Sequence, residues 1–131
     1  MKNNFQSKEN IVNTPSGDGG KIIVTGANGQ LGNELRELSV QHSQYQFIFL
    51  AKDELDISDA EKIFLFFKNT TPDFCINCAA YTAVDKAEIE KEAAYKINEE
   101  GARNLASAAK NTKARLIHIS TDYVFNGNGY K

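Results

Sequence analysis

The chain has 131 residues, 41% hydrophobic and 24% charged, which suits one globular domain able to bury a core. A formal charge of -2, with acids and bases interspersed, gives neither a stripe for nucleic acid nor a polybasic membrane anchor. No apolar run approaches the roughly 18 residues of a spanning helix, and the opening MKNNFQSKEN is too polar for a signal peptide, so small-molecule chemistry in the cytoplasm is expected.

Residues 1–20 hold few large apolar side chains and end in Pro15-Ser16-Gly17-Asp18-Gly19-Gly20, a composition that reads as a flexible leader. From Lys21 the β-branched run Ile22-Ile23-Val24 predicts a strand buried on both faces, ending at Gly26. Leu31, Leu35 and Leu38 recur at helical spacing over Gln30 to about Val40. Phe47-Ile48-Phe49-Leu50 predicts a second strand. Ser58 can cap a helix with Asp59 and Glu61 in its first turn, Ile63, Phe64, Phe66 and Phe67 on its apolar side, and Pro72 to close it. Phe74–Ala79 predicts a third strand, about 86–111 a long helix, and Arg115–Ser120 a fourth strand. Strands alternating with helices imply an α/β fold, a parallel sheet with helices on both faces.

Cys75 and Cys78 spell a CxxC, yet they lie on a strand rather than at a helix start and have no second ligand pair. Residues three apart on a strand point to opposite faces, so the pair reads as buried structural thiols. His118, between Ile117 and Ile119, reads as a structural strand histidine, His42 carries no signal, and Glu88, Glu90, Lys91 and Glu92 form a solvated face.

The strongest local signal is Gly26-Ala27-Asn28-Gly29-Gln30-Leu31-Gly32, a GxxGxxG directly after the first strand and opening the first helix. Glycines there permit a tight turn, close backbone approach to a pyrophosphate and close helix-to-sheet packing, while the helix N-terminus offers free N–H groups. The bland alternative is an ordinary strand–helix turn, and the placement favours dinucleotide binding. Many NAD enzymes end the second strand with an acid for the ribose 2′-hydroxyl; here Leu50 is followed by Ala51 and Lys52, which favours NADPH, although Asp53 is near enough to restore an NADH-type contact.

Beyond the glycines stand Glu54-Leu55-Asp56-Ile57-Ser58-Asp59, then Asn77-Cys78-Ala79-Ala80-Tyr81-Thr82-Ala83-Val84-Asp85-Lys86-Ala87-Glu88, then Asn98, Gly101, Asn104 and Leu105, then Ser120-Thr121-Asp122-Tyr123-Val124-Phe125 with Gly127. In this order, over about 21–131, the sequence resembles the extended short-chain dehydrogenase/reductases, and within them the dTDP-4-dehydrorhamnose reductase family. The resemblance implies a Rossmann-like NAD(P)-binding domain over 21–131, truncated after about the fourth strand and without the C-terminal substrate region. It implies that Asp56 accepts from the adenine amine while Ile57 packs on the ring. It places Ala79, Ala80, Thr82 and Ser120 beside the cofactor, makes Thr121 the catalytic hydroxyl, and sets Thr121 and Asp122 against a dTDP-sugar. Asp56 also reads as a turn residue, Thr82 as a turn hydroxyl and Thr121 as an ordinary strand-end threonine. Asn98, Gly101, Asn104 and Leu105 share a helix face, expected to brace neighbouring strand ends.

The implied reaction is hydride transfer from NADPH (or NADH) to the 4-keto group of dTDP-4-dehydro-L-rhamnose, giving dTDP-L-rhamnose for cell-surface polysaccharide, with a tyrosine as proton donor and a lysine lowering its pKa. Those two belong to a YxxxK motif. Four positions after Tyr45, Tyr81, Tyr95 and Tyr123 stand Phe49, Asp85, Glu99 and Gly127, and Tyr130-Lys131 is a different pair, so the 131 residues hold no YxxxK. The expectation is a fragment inactive alone, with self-association or a homodimer through an exposed sheet edge. A non-catalytic regulatory subunit and a related nucleotide-sugar epimerase or dehydratase are the alternatives.

Overall fold

The computed structural model describes residues 19–80 and 89–119. Four parallel strands, β1 (Lys21–Thr25), β2 (Gln46–Leu50), β3 (Phe74–Asn77) and β4 (Arg115–His118), form one sheet in the order β2-β1-β3-β4. Each is one or two residues off its predicted bounds, and Ala79 lies beyond β3. Helices α1 (Gln30–Ser39) and α2 (Ala60–Thr70) follow the first two strands. The chain winds outward from β1 to β2, then returns past β1 to β3, so the winding direction reverses between β1 and β3. Ligands bind such sheets in the crevice outside the carboxyl ends at this reversal.

Alternation along the strands splits the core in two. Ile23, Ile48, Leu50 and Cys75 face Ile63, Phe66 and Phe67 of α2 and Leu105, Ala108 and Ala109 of the last helix. Ile22, Val24, Phe47 and Phe49 form the opposite layer with Leu35 of α1. There Phe47 and Phe49 stack at 5.9 Å and the Arg36 guanidinium lies 4.5 Å from the Phe49 ring centre. Full burial of each such Ile or Phe contributes about 1.5–3 kcal/mol.

Several elements differ from the sequence expectation. Leu31 and Leu38 do not face the core: they are exposed, and α1 turns Gly32, Leu35 and Ser39 inward. The cause is Gly32, whose Cα sits so close to the Gly26 and Ala27 carbonyls that a Cβ would lie 2.6 Å from either oxygen. Seating it there rotates the other leucines outward. Phe64 is likewise exposed on α2. Ser58 is not the α2 cap; the Asp59 carboxylate accepts from the Lys62 amide at 3.1 Å, and Ser58 is engaged with Asp56. The helix ends before Pro72, at Thr71 in the left-handed conformation (φ 46°).

The long third helix, expected over about 86–111, is interrupted at 89–90 and runs on from Lys91, residues 86–88 lying outside the described residues, and it is not uniform. It comprises α3 (Lys91–Tyr95), a π-helical stretch (Lys96–Gly101) and α4 (Ala102–Thr112). The expected leader falls outside the described residues as far as 18. Gly19 and Gly20 already belong to the fold, the Gly19 amide donating to Gln44 O at 3.2 Å and Gly20 O accepting from the Gln46 amide at 2.9 Å. Among the described residues no helix is long and apolar enough to cross a membrane.

Candidate functional site

A cavity of about 610 Å³ opens at the carboxyl ends of β1, β2 and β3, where the winding reverses. One wall is the turn from β1 into α1. Gly26 has φ 69°, and a Cβ on it would lie 2.4 Å from the Ala79 amide nitrogen and 2.6 Å from the Cys78 carbonyl carbon. Only glycine combines that conformation with that approach. Gly29 differs: it has no left-handed angle, and a Cβ on it would meet Gly26 O at 3.3 Å, a close contact that a shift of a few tenths of an ångström would relieve. It is also the N-cap of α1, with no side-chain cap bond and no acid in the first turn, so the positive helix end is unneutralised.

Behind this wall, the Asn77 side chain joins three strands. Its Oδ1 accepts from Thr25 Oγ1 at 2.7 Å and from the Ala79 amide at 3.1 Å, and its Nδ2 faces His118 Nδ1 at 3.0 Å. A backbone N–H can only donate, so the amide orientation is set. Nδ2 then donates to His118 Nδ1, and the neutral ring carries its proton on Nε2. The network holds Ala79, which lines the cavity. Nothing in the sequence but the polarity of Thr25 and Asn77 at the ends of apolar strands signals it.

The other wall follows β2. The Ala51 amide donates to Glu54 Oε2 at 2.8 Å, so that carboxylate is committed to closing the turn. Lys52 and Asp53 are exposed on the cavity rim. Asp56 lines the cavity with one oxygen engaged: Oδ1 takes both the Ser58 amide (2.9 Å) and hydroxyl (2.7 Å), leaving Oδ2 with no donor among the described residues. Partial burial pushes its pKa up, but the Ser58 donors and the charges of Lys52 and Lys62 outweigh this and hold it below the ordinary carboxylate value. The group is therefore an anionic acceptor at neutral pH. Leu55 and Ile57 supply apolar surface beside it.

Of the residues singled out in the sequence, Gly26, Asn28, Gly29, Lys52, Asp56, Ile57, Ala79 and Ala80 line this one cavity. Gln30, Leu31 and Gly32 do not; Gly32 packs the helix onto the turn, and Gln30 and Leu31 belong to the uncapped helix end. Thr82, Ser120, Thr121 and Asp122 lie outside the described residues. Sequence reasoning does not find Ala51 and Ile97 as lining residues, and names Leu55 and Cys78 only as part of the segments around Asp56 and Ala79. Cys78 is not buried as expected: it is half-buried on the cavity wall, whereas Cys75 is wholly buried in the opposite layer, and both thiols are free. Burial, with the nearby Cys78 adding to it, pushes the Cys75 thiol up to about 12.

The cavity thus offers a glycine turn with an uncapped helix end, then an apolar surface with a carboxylate acceptor, a sequence of features suited to a pyrophosphate followed by a base. Residues 20–131 match the family model described as RmlD substrate binding domain. The dTDP-4-dehydrorhamnose reductase of Aggregatibacter actinomycetemcomitans is 42% identical over 107 residues, covering 82% of this chain and 36% of the relative. The crystal structure of a dTDP-4-dehydrorhamnose reductase from Clostridium acetobutylicum superposes with a TM-score of 0.78 at 44% identity, covering 85% of this chain and 39% of that one. The Bacillus anthracis dTDP-4-dehydrorhamnose reductase, crystallised in complex with NADP, gives the same TM-score and identity over 83% of this chain and 39% of that one. The chain therefore spans little more than a third of the length of these proteins. With a model match across nearly all of its length and relatives this similar, the chain belongs to the RmlD substrate-binding domain family.

Proposed function

We propose that this chain is the cofactor-binding part of an NADPH-dependent reductase acting on the 4-keto group of dTDP-4-dehydro-L-rhamnose. The observation that carries the reading is the cavity at the β1/β3 reversal, roofed by a glycine turn that tolerates no side chain at Gly26. The fit to a dinucleotide rests on residues of this chain. The uncapped N-terminus of α1 suits a pyrophosphate, Asp56 Oδ2 suits an adenine amine, and Ile57 suits the ring face. Lys52 on the rim, with the Glu54 carboxylate consumed by the Ala51 amide, favours the 2′-phosphate of NADPH over the free hydroxyl of NADH. Asp53, on the same rim, is the group that would favour NADH.

When bound, the cofactor supplies the hydride. Among this chain's own residues, Ala79 and Ala80 keep the strand end small beside it; the resemblance assigns Thr82 and Ser120 to the cofactor, gives Thr121 the hydrogen bond that would place the sugar carbonyl, and sets Asp122 against the sugar. The proton comes from the tyrosine of a YxxxK motif, which these 131 residues do not hold. The natural location for this reaction is the cytoplasm, where nucleotide sugars and reduced nicotinamide meet.

The test is to join this chain to the C-terminal region of a relative and follow NADPH absorbance with dTDP-4-dehydrorhamnose. Turnover by the joined protein, none by the 131-residue polypeptide, and a preference for NADPH that shrinks in Lys52→Ala are expected. Turnover by the 131 residues alone, or a tenfold preference for NADH, would refute the reading.

A further inference from the structure

The π-helical stretch Lys96–Gly101 stands on the cavity rather than on the far side of the fold, and its contacts converge on one residue. A Cβ on Gly101 would lie 2.5 Å from Ile57 Cδ1 and 2.6 Å from Cγ1. Asn104 Nδ2, one turn on, donates to the Ile57 carbonyl at 2.9 Å. Ile97 lines the same cavity as Ile57. Local i→i+5 bonding is rare and concentrates at functional sites. Here it has a geometric effect: Ile97, Gly101 and Leu105 come to one face, while Asn98, expected on that face, is exposed. Asn104 reaches a loop carbonyl, not a strand end, so the motif braces the β2–α2 segment.

We propose that Gly101 and Asn104 are positioning residues that set Ile57 as the floor of a slot for a purine base, and that Ile97 is a second wall of that slot. The inference rests on the dinucleotide reading of the cavity and adds which residues hold its base end. Gly101 supplies the room behind Ile57; Asn104 fixes the backbone from which Ile57 projects. Gly101 has helical angles (φ -60°, ψ -46°), so alanine is conformationally permitted, and the three atoms nearest its methyl would all belong to Ile57.

Isoleucine methyl NMR on the 131-residue chain tests this, with ADP-ribose, ribose 5-phosphate and pyrophosphate as probes. In the unliganded protein, Gly101→Ala and Asn104→Leu are expected to move the Ile57 methyl resonance while isoleucines of the opposite layer such as Ile22 stay in place. ADP-ribose is expected to shift the Ile57 and Ile97 methyls by the ring current of the base, and the two probes without a base to leave both unmoved. Gly101→Ala is expected to weaken ADP-ribose by about tenfold, the scale of one misplaced methylene in an apolar pocket, and pyrophosphate by less than about twofold. The proposal is overturned if ADP-ribose binds without moving either methyl, if Gly101→Ala leaves Ile57 unshifted, or if both ligands weaken equally. Failure of the underlying reading looks different: no resonance moves with any probe.

Discussion

The two walls of the cavity use glycine in opposite ways. At Gly26 the missing Cβ makes room for backbone, the Ala79 amide and the Cys78 carbonyl, in a left-handed conformation. At Gly101 it makes room for the tip of a side chain, in an ordinary helical conformation. Backbone held by strand pairing cannot retreat, whereas an isoleucine can turn. The first wall is therefore part of the fold, and the second is adjustable surface on it.

The largest expected effect follows from that difference. Gly26→Ala combines left-handed strain of about 1–3 kcal/mol with overpacking of similar size, so about 3 kcal/mol or more of stability is lost, read from urea unfolding. Gly101→Ala should cost less than about 1 kcal/mol, since its Cβ displaces only a flexible group and alanine favours the helix. Equal losses at the two positions would break the comparison.

Next comes the Asn77 network behind the first wall. Asn77→Ala strips partners from the Thr25 hydroxyl, the Ala79 amide and His118 together. Leaving buried polar groups without partners puts the loss at about 2–3 kcal/mol by the same unfolding assay. A smaller effect is expected on the second wall, where Asp59→Ala removes the α2 cap just past Ile57 and lowers stability by about 1 kcal/mol. A loss at Asp59 exceeding that at Asn77 would contradict the ranking.

Cys75 adds a pH signature to the core beneath both walls. Its folded thiol is pushed up from the ordinary 9.0 to about 12, so burial of the neutral thiol stabilises fully below pH 9 and the contribution is lost as pH rises toward about 12. Unfolding midpoints measured across that window should fall for the parent chain and fall less for Cys75→Ala.

The legibility of the two walls in the sequence differs for a physical reason. The first is local: Gly26, Gly29 and Gly32 lie within seven residues, and a short β-branched run before them fixes where the turn must be. The parallel sheet between two layers follows from the alternation of apolar runs with helical segments. The second wall joins Ile57 to Gly101 and Asn104 across more than forty positions, through a π stretch that periodicity does not announce. Periodicity misplaces Leu31 and Leu38 because helical spacing shows which residues share a face, not which face a tertiary contact such as Gly32 turns inward. Ser58 and Asp59 are both good caps by type, and only the Asp56 contact explains why the second is used.

The central claim is that the cavity between these walls binds a dinucleotide through its pyrophosphate and adenine ends, and calorimetry on the 131-residue chain tests it most directly. Titration with NADPH, NADH and ADP-ribose should give measurable but weak binding, with ADP-ribose retaining most of the affinity of NADH, whose adenine and pyrophosphate end it shares, and NADPH binding more tightly through its 2′-phosphate. Asp56→Ala should weaken all three alike. No heat from any of them at millimolar concentration would contradict the account.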